Sequence, residues 1–479
     1  MSASTAIAWF RQDLRITDNP ALQAAARHGE VVPIYILDDE NAGRHAMGAA
    51  SRAWLHRSLA ELNNALDGRL LLFRGDARRV IAQLVDELRP SAVFWNRCYE
   101  PWRIRRDTEI RKDLTGLGVE NHSYNASLLW EPWEISPKKG GPYRVFTPFY
   151  QKGCLAAPAP RQPLPAPAQI DFANSKSDSL TCLSLDQLGL LPRSLDWHEN
   201  MLSHWQVGES AAAERFSEFC NDSIAHYKQG RDFPAGDTCS RLSPHLHFGE
   251  ISPHQLWHRV ESDIGPGRGE GSSHFLREIA WREFSYHLLY HFPQLPDENF
   301  NTRFDGFGWR HDDRSLELWQ RGLTGYPIVD AGMRELWQTG YMHNRVRMVV
   351  ASFLVKNLLL HWRNGADWFQ DCLVDADLAS NSASWQWCAG SGADAAPYFR
   401  IFNPVLQSEK FDPQGEYLVR YCPELEGLPP RYRHKPWLAE ASVLKEAGIV
   451  LGKDYPEPIV DLKFTRERAL ERYKELPAS

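Results

Sequence analysis

The segment VVPIYIL at residues 31–37 is a continuous apolar run, short enough for a β-strand and without a charged residue. Three similar runs surround it, at residues 6–10 (AIAWF), 70–73 (LLLF) and 92–95 (AVFW). Helical spacing of apolar residues connects these runs, at residues 20–28, 49–66 and 77–88. Continuous apolar strands that alternate with helices predict a doubly wound parallel sheet of the Rossmann-like α/β class, because helices cover both faces of such a sheet.

A proline-rich stretch ends this pattern at residues 156–168, which contain five prolines. Proline lacks a backbone donor and breaks helices, so this stretch is predicted to be a linker, continued by the polar residues 174–184. From about residue 200 helical periodicity dominates, at residues 211–229, 275–290, 328–338 and 344–363. We therefore predict an α/β domain at 1–135, a linker at 136–200 and an all-α domain at 201–479.

Composition excludes several classes of protein. With 43% hydrophobic and 24% charged residues among 479, the chain has the composition of a soluble globular protein. No apolar run reaches the roughly 18–20 residues of a membrane-spanning helix, and the N-terminus lacks the pattern of a signal peptide. The eight cysteines include no Cys-x-x-Cys pair, which predicts reduced thiols in a cytoplasmic protein and no metal site.

Two further numbers bear on function. The net charge of −7 argues against bulk affinity for nucleic acid, so a DNA-binding surface would have to gather its arginines on one face. The 18 tryptophans are unusually many, which favours some use of indole rings in stacking or electron transfer beyond core packing. Neither a Gly-x-Gly-x-x-Gly motif nor a P-loop occurs, although a doubly wound sheet can still bind a ligand beyond its strand ends.

Polar residues concentrate in a pair of neighbouring segments early in the helical region. Tyr227-Lys-Gln-Gly-Arg231 is followed by Thr238-Cys239-Ser240-Arg241-Leu242-Ser243-Pro244. Small hydroxyl groups and free amides before a proline suit an anion at the start of a helix. The alternative interpretation is an ordinary Ser/Pro helix cap.

A second motif lies in the helical segment 275–290. Glu278, Trp281 and Arg282 occupy positions i, i+3 and i+4, so they share one face of the helix. A carboxyl group desolvated beside an indole can stay protonated near neutral pH and donate a hydrogen bond. The alternative is a solvated Glu/Arg pair that flanks a core tryptophan.

Two later segments repeat this mixture of polar and aromatic residues. Asn344, Arg347 and Met348 fall on one helix face, and Asp375 is a natural partner for Arg347. Trp385 and Trp387 are two residues apart, which on a helix directs one ring inward and the other outward. Structural packing is the alternative role for each aromatic residue taken alone.

Together these segments resemble the DNA photolyase/cryptochrome family, most closely bacterial cyclobutane pyrimidine dimer photolyases of the plant-cryptochrome-like class III type. The similarity runs from Trp9-Phe10-Arg11-Gln12-Asp13-Leu14-Arg15 to residues 400–404 and includes the long segments 324–336 and 344–363. The family fold implied is an α/β domain, a linker and a helical domain that binds FAD.

The resemblance implies a set of cofactor-binding residues. Those that match the surroundings of the FAD phosphates are Tyr227, Arg231, Cys239, Ser240, Leu242 and Ser243. Those that match the surroundings of the isoalloxazine and the rest of the FAD site are Phe275, Glu278, Arg282, Asn344, Arg347, Asp375, Asp377 and Asn381. Many relatives have Thr at the position of Cys239, so a side-chain hydroxyl contact is lost there. Asn381 matches the residue that faces flavin N5.

The resemblance also implies residues for repair of damaged DNA. Glu278 and Asn344 match the pair that hydrogen-bonds the pyrimidine dimer, and Met348 matches a neighbour of the lesion. Trp281 and Trp387 match aromatic walls of the lesion site, and with Arg345 they are predicted to bind DNA. The electron chain from flavin to surface would consist of Trp385, Trp362 and Trp309.

The implied function is light-dependent repair of dimers in UV-damaged DNA by a monomer that has no obligate protein partner. An antenna pigment, 5,10-methenyltetrahydrofolate or alternatively a deazaflavin, is expected near the segment Tyr99–Asp107, where Trp102 either stacks on a pterin or is an exposed loop residue. The alternatives are a cryptochrome photoreceptor, distinguished by the absence of repair, and a light-independent flavoprotein or nucleotide-binding module, distinguished by the absence of a flavin spectrum.

Overall fold

The computed structural model describes residues 4–173, 182–264, 269–395 and 399–477. Most of the polar stretch predicted to continue the linker, residues 174–184, lies outside these ranges. The strands are β1 (Thr5–Phe10), β2 (Glu30–Leu37), β3 (Leu71–Arg74), β4 (Ala92–Asn96) and β5 (Glu120–Tyr124). They form one sheet in the order β3-β2-β1-β4-β5, and every described pair is parallel. The doubly wound sheet is thus confirmed.

Helices surround and follow the sheet. In the first half of the described chain they are α1 (Pro20–His28), α2 (Asp39–Ala42), α3 (Ala49–Ala65), α4 (Ala77–Leu88), α5 (Pro101–Gly116), α6 (Phe146–Pro148), α7 (Trp197–Leu202), α8 (Glu209–Glu218), α9 (Tyr227–Gly230), α10 (Ser243–Phe248) and α11 (Pro253–Ile264). The later ones are α12 (Glu270–His291), α13 (Asp313–Gln320), α14 (Pro327–Thr339), α15 (Asn344–Ser352), α16 (Trp362–Cys372), α17 (Leu378–Ala389), α18 (Pro404–Phe411), α19 (Glu416–Tyr421), α20 (Pro430–Arg433), α21 (Ala441–Glu446) and α22 (Leu462–Lys474).

Each face of the sheet has its own apolar core. Alternate residues of a strand point to opposite faces, so Ile7 and Trp9 join one cluster while Ala8 and Phe10 join the other. Helices α4 and α5 cover the first cluster, and α1 and α3 cover the second. The inner strands β1, β2 and β4 therefore lack a solvent-facing side, which explains their continuous apolar runs in the sequence.

Two predicted helices are interrupted in the structure. The helix predicted at 344–363 ends at Ser352, passes through a π-helical turn at Phe353–Asn357 and resumes at Trp362. Leu359, in the gap, has a left-handed φ of 55°, which no continuous helix tolerates. The helix predicted at 211–229 likewise ends at Glu218 and continues as π and 3-10 turns. Both predictions of one continuous helix were wrong.

The chain folds into two compact units, and each is assembled from separate stretches of sequence. Unit 1 contains Met1–Ala225, Ser240–Pro293 and Val374–Ala379, and it holds the sheet. Unit 2 contains His226–Cys239, Gln294–Leu373 and Ser380–Ser479, and its regular structure is helical in the described ranges. The domain boundaries at 135 and 200 stay predictions. Across the described residues, no helix is both long enough and apolar enough to cross a bilayer.

Candidate active site

The two segments predicted to face the FAD phosphates begin next to each other in unit 2. Tyr227 opens α9, and the guanidinium carbon of Arg231 lies 5.4 Å from the centre of its ring. Gly230 faces Thr238 so closely that a Cβ at Gly230 would lie 2.6 Å from the methyl carbon of Thr238. Thr238 Oγ1 is buried and has no hydrogen-bond partner among the described residues. A buried hydroxyl without a partner is a group that a bound ligand can satisfy.

Cys239 ends this part of unit 2 and is mostly enclosed. Its Sγ lies 3.4 Å from His343 Nε2, and burial raises the pKa of the thiol to about 11. Burial also lowers the pKa of His343 to about 4. Near neutral pH both groups are therefore uncharged, so Cys239 contributes a compact polarisable side chain and no negative charge.

The remainder of the predicted phosphate segment belongs to unit 1. Ser240 accepts a hydrogen bond from Arg215 through its carbonyl, at 3.0 Å, and its Oγ lies 3.4 Å from the N–H of Leu242. Arg241 has a left-handed φ of 54°, an uncommon conformation for a residue with a Cβ. Ser243 then opens α10 with Pro244 in its first turn. A helix therefore begins within this segment as both interpretations require, and the choice between an anion site and an ordinary helix cap stays a prediction.

On α12, the helix face predicted to carry Glu278 and Trp281 has one side of the Trp281 ring covered by another aromatic ring. Trp281 is half-buried, and Phe146 stacks on it in parallel, with ring centroids 3.7 Å apart and planes 8° apart. Phe146 is itself 1% exposed. Glu278 is half-buried one turn earlier on the same helix. Trp281 is therefore a supported ring at the surface of unit 1 and not the core tryptophan of the alternative interpretation.

Phe146 was missed by the sequence analysis, which assigned residues 136–200 to a linker. The two rings that stack are 135 positions apart in sequence, and no motif around Phe146 signals its partner. The proline-rich part of that region does lack helix and strand at residues 158–168 in the structure, as predicted.

Arg282 and Asp377 belong to a buried polar network of unit 1. Arg282 donates to the carbonyl of Ser127 at 2.6 Å, and its guanidinium carbon lies 4.9 Å from the ring centre of Tyr286. The Tyr286 hydroxyl donates to Asp377, whose Oδ2 lies 3.5 Å from His247 Nδ1. Burial by itself raises the pKa of Asp377, but the hydrogen bond from His247 and the charges around it lower the pKa well below its usual range. Asp377 is thus a fixed anion.

Glu283 lies beside Arg282 on α12 and was not singled out from the sequence. Its Oε2 accepts hydrogen bonds from the backbone N–H groups of Leu129 at 2.9 Å and Trp130 at 3.3 Å. The side chain is 3% exposed, and this burial raises the pKa of the carboxyl group to about 7, although Arg282 opposes the shift. Glu283 attaches the helix that carries Glu278 and Trp281 to the chain before the linker.

The start of α15 presents the residues predicted to face the lesion in unit 2. Asn344 is exposed at the first position, and Arg347 and Met348 are half-buried one turn later, so the three share a face as predicted. Arg347 donates to the carbonyl of Met342 at 2.7 Å. Arg345 forms an ion pair with Asp232 at 2.7 Å, so its charge is partly compensated within unit 2.

Helix α17 carries the predicted flavin-facing and electron-transfer residues. Trp385 is 2% exposed, whereas Trp387 is half-buried, which confirms that one ring points inward and the other outward. Trp385 meets Phe369 at 5.0 Å and Trp319 at 6.2 Å, both edge-on. Asn381 Nδ2 donates to the carbonyl of Ala366 at 2.9 Å, which fixes its amide. Trp319 was missed because no sequence spacing connects it to Trp385.

The outer members of the predicted electron chain lie along one aromatic row in unit 2. Trp362 is 1% exposed and donates from Nε1 to Asn299 at 3.0 Å. Its ring lies 5.5 Å from that of His361, which lies 5.3 Å from that of Trp309. Trp309 is half-buried, so the row leads from a buried indole to a partly exposed one.

Asp375 and Phe275 are also predicted site residues, and both are buried. Asp375 is 8% exposed in unit 1, and its predicted pairing with Arg347 of unit 2 stays a prediction. Phe275 is 3% exposed and packs against Phe219 with centroids 4.8 Å apart.

The segment expected to touch an antenna differs from the prediction. Residues 99–107 are mostly helical, because α5 begins at Pro101. Trp102 is 9% exposed and lies 4.7 Å from the guanidinium carbon of Arg103 and 5.0 Å from that of Arg106. It is therefore neither an exposed loop residue nor an open platform for a pterin.

Comparisons with known proteins agree with this architecture. Residues 6–168 match the family model for DNA photolyase, and residues 275–475 match the model for the FAD binding domain of DNA photolyase. A deoxyribodipyrimidine photo-lyase of Agrobacterium fabrum is 48% identical over 99% of this chain and 98% of its own length. Cryptochrome-2 of Arabidopsis thaliana is 38% identical over 98% of this chain and 79% of its own length.

A solved structure shows the same fold throughout. The crystal structure of a bacterial class III photolyase from Agrobacterium tumefaciens superposes with a TM-score of 0.94 at 47% identity, over 99% of this chain and 98% of that one. The fold, the site residues on α12, α15 and α17 and these full-length similarities lead to one conclusion: the chain belongs to the DNA photolyase/cryptochrome family.

Proposed function

We propose that this protein is a deoxyribodipyrimidine photo-lyase, which uses light and FAD to split cyclobutane pyrimidine dimers in UV-damaged DNA. The observation that carries the proposal is the pair Glu278 and Trp281 on one face of α12, with the indole backed by Phe146. A hydrogen-bonding carboxyl group beside a supported flat ring is suited to hold two fused pyrimidines.

The residues present fit a flavin nucleotide. Thr238 offers a buried hydroxyl without a protein partner, and Arg231 lies near it in sequence as a counter-charge for a phosphate. Asn381 has a fixed amide that can serve a polar ring edge. When bound and reduced, FAD supplies the light-excited electron that no side chain can provide.

The dimer must be flipped out of the DNA double helix to reach the site. A dimer pairs poorly, so turning it out costs less than extruding a normal base pair, and this difference gives selectivity. Trp281 and Trp387 would contact the extruded bases, since base–aromatic stacking contributes about 1–3 kcal/mol per base. Arg345 would position the DNA backbone through phosphate contacts, exchanging its ion pair with Asp232.

The chemistry breaks two C–C bonds in a dimer that has accepted one electron. The extra charge resides largely on the carbonyl oxygens, so a hydrogen bond donated there stabilises the transition state. Glu278 would donate that bond and Asn344 would hold the partner base. The electron would then return from the separated pyrimidines to the donor that supplied it, so the overall reaction needs no net oxidant or reductant.

The test is a repair assay with purified protein, reduced flavin and an oligonucleotide that contains one thymine dimer. Dimer loss under blue light and none in the dark is the expected result. An absorption spectrum without flavin, or equal dimer loss in light and dark, would overturn the proposal.

Replacing the acid separates binding from chemistry. Glu278→Gln should retain affinity for dimer-containing DNA and lower the quantum yield of repair, because an amide is a weaker donor than a carboxylic acid. Glu270→Gln, at the exposed start of the same helix, is the matched control and should repair normally. An unchanged quantum yield in Glu278→Gln would refute the donor role.

A photoreceptor function without repair is the second candidate, because the chain is also similar to a plant cryptochrome over nearly its whole length. Flavin photoreduction in a protein that leaves dimers intact in the assay above would favour it.

A further inference from the structure

Arginines surround the half-buried end of the aromatic row in unit 2, at Trp309. Gly308, the residue before it, packs against Arg472: a Cβ at Gly308 would lie 3.4 Å from Arg472 Cδ and 3.5 Å from its Nη1. Arg310, the residue after it, is held by a hydrogen bond from its backbone N–H to the carbonyl of Leu359 at 2.8 Å. The indole is therefore flanked along the chain by two arginines.

A third arginine, Arg468 of α22, joins this cluster. It is half-buried, and its Nη2 donates to the carbonyl of Asn357 at 2.6 Å. Burial, and then the charges of Arg310 and Arg472, lower the pKa of Arg468 from its ordinary value. A guanidinium group stays charged near neutral pH all the same. The shift therefore means that three cations are close enough to repel one another.

Carboxylates compensate only part of this charge. Arg310 pairs with Asp312 at 3.2 Å, and Arg472 pairs with Glu475 at 3.0 Å in an exposed ion pair. Arg468 is held by a backbone carbonyl and, in the part of the chain that the structure describes, by no carboxylate; its Nε is buried without a hydrogen-bond partner. The chain as a whole has a net charge of −7, so its composition alone does not explain this local excess of positive charge.

Trp309 has no route within these residues for losing its indole proton. Its Nε1 is buried and finds no acceptor among the described groups. The nearest rings are those of Phe307 at 4.5 Å and His361 at 5.3 Å. Burial, and then the charges of Arg363 and His311, lower the pKa of His361 to about 4, so this imidazole is neutral and a weak base near pH 7. An oxidised Trp309 would therefore keep its positive charge.

A cation at Trp309 beside three guanidinium groups is electrostatically less favourable than the neutral indole, so the cluster favours return of an electron to the ring. The same positive field raises the local concentration of anions and speeds their arrival, whereas a neutral donor gains nothing from it. DNA is also an anion, but its phosphates are spaced along a strand and are met by cations spread over a surface. Three guanidinium groups that converge beside one ring suit a small anion better.

We propose that Arg310, Arg468 and Arg472 bind a small anionic one-electron reductant beside Trp309. The inference rests on the proposed function, in which the predicted tryptophan chain passes an electron inward and leaves Trp309 as a radical cation. The bound anion returns one electron to this ring, which becomes a neutral indole with its N–H intact. An ascorbate monoanion, for example, gives up that electron, loses one proton to water and leaves as the ascorbate radical anion. No bond to the protein forms or breaks.

The test uses the full-length protein with oxidised FAD, a laser flash and the decay of the tryptophan radical absorption. Ascorbate is the anionic probe, and hydroxymethylferrocene is a neutral one-electron donor for comparison. We expect the rate constant with ascorbate to fall as ionic strength rises from about 0.01 to 1 M, over which the screening length shortens from about 30 to 3 Å. The rate constant with the neutral donor should stay the same.

A double variant, Arg468→Gln with Arg472→Gln, removes most of the cluster. The rate constant with ascorbate should fall at least about 10-fold, the lower end of electrostatic effects on association, while that with hydroxymethylferrocene is unchanged. Arg466→Gln is the matched control, because Arg466 is exposed on the same helix about 200° around from Arg468. Arg472→Gln alone, at an exposed position, guards against misfolding and should lower the ascorbate rate constant several-fold.

Several results would overturn the inference. An unchanged ascorbate rate constant in the double variant, or an equal loss with both donors, would mean that the arginines do not select an anion. An equal loss in Arg466→Gln would mean a diffuse effect of net charge. Weaker affinity of the double variant for dimer-containing DNA would assign the cluster to the DNA backbone. A wild-type protein that forms no tryptophan radical would leave the bound anion nothing to reduce.

Repair by chemically prereduced protein separates this inference from the proposed function, because that reaction does not require Trp309. Normal repair together with equal use of both donors would refute the reductant site alone. Absence of repair by the prereduced protein under blue light would refute the photo-lyase function.

Discussion

Two tryptophans of the candidate site are built in opposite ways. Trp281 on α12 has Phe146 flat against it at 3.7 Å and remains half-exposed. Trp385 on α17 is 2% exposed and meets Phe369 and Trp319 by their edges, at 76° and 71°. A ring backed on one face suits contact with an incoming base, whereas an enclosed ring suits passage of an electron because water cannot reorganise around it. The same residue type therefore has two uses, and its neighbours decide which.

The largest expected change in a rate concerns the enclosed ring. Trp385→Phe should slow photoreduction of oxidised flavin at least about 100-fold, equal to about 2.7 kcal/mol of activation free energy, because phenylalanine is a poor electron donor. Repair by chemically prereduced protein should persist. Flavin absorption under continuous light measures the first effect, and normal photoreduction in the variant would remove Trp385 from the chain.

The next effect is on the pH dependence of stability and concerns Glu283, which attaches the helix that carries Trp281. Glu283 has a pKa raised from 4.5 to about 7, so the folded state keeps its proton where the unfolded state has lost it. Its stabilising contribution is present below about pH 4.5 and is lost as pH rises through about 7, in total about 3 kcal/mol. Between pH 5 and 8, wild type should therefore lose more stability than Glu283→Gln, whose amide oxygen can still accept from Leu129 and Trp130.

Urea unfolding of both proteins at several pH values measures this difference. Equal pH dependence in wild type and Glu283→Gln would contradict the role given to Glu283. Trp385→Phe, in the other unit, is the control and should keep the wild-type pH profile.

Removing the half-exposed ring should act on binding alone. Trp281→Ala should weaken affinity for dimer-containing DNA by about 10-fold, within the roughly 1–3 kcal/mol of a base–aromatic stack. Photoreduction should be unchanged, because this ring is not in the electron chain. Fluorescence anisotropy with a labelled oligonucleotide provides the measurement, and unaltered affinity would contradict the contact.

Removing only the backing gives the smallest effect. Phe146→Leu keeps an apolar side chain but loses the parallel stack, which is worth about 0.5–1.5 kcal/mol beyond burial. Dimer affinity should fall a few-fold, less than in Trp281→Ala. A larger loss than in Trp281→Ala would mean that Phe146 supports more of unit 1 than this indole.

The sequence predicted most of the sheet because burial on both faces leaves an unbroken apolar run. Helices α1 and α4 have the predicted bounds. Strands β1 to β4 begin and end within one residue of their predicted bounds. Strand β5 was missed, since Glu120-Asn-His-Ser-Tyr124 carries no apolar signal at the edge of the sheet. The break after Ser352 was missed as well, because no glycine or proline marks the π-turn or the left-handed Leu359.

The candidate site was predictable only as residues on single helices. Spacing placed Glu278 with Trp281 and separated Trp385 from Trp387, because both relations are local to one helix. Phe146 and Trp319 could not be found in this way, since their contacts join distant parts of the chain.

The ring of Phe146 also limits how this protein can be re-engineered. Insertions at residues 166–168, which are mostly exposed and lie outside helix and strand, should be tolerated, whereas Leu164 exchanges two hydrogen bonds with Asp18. One added residue just before Phe146 would instead shift the phenyl ring from beneath the indole, so fluorescent tags and sensor domains belong at residues 166–168 and not before Phe146. The segment predicted to be a linker thus has near its start a residue, Phe146, that supports the candidate site.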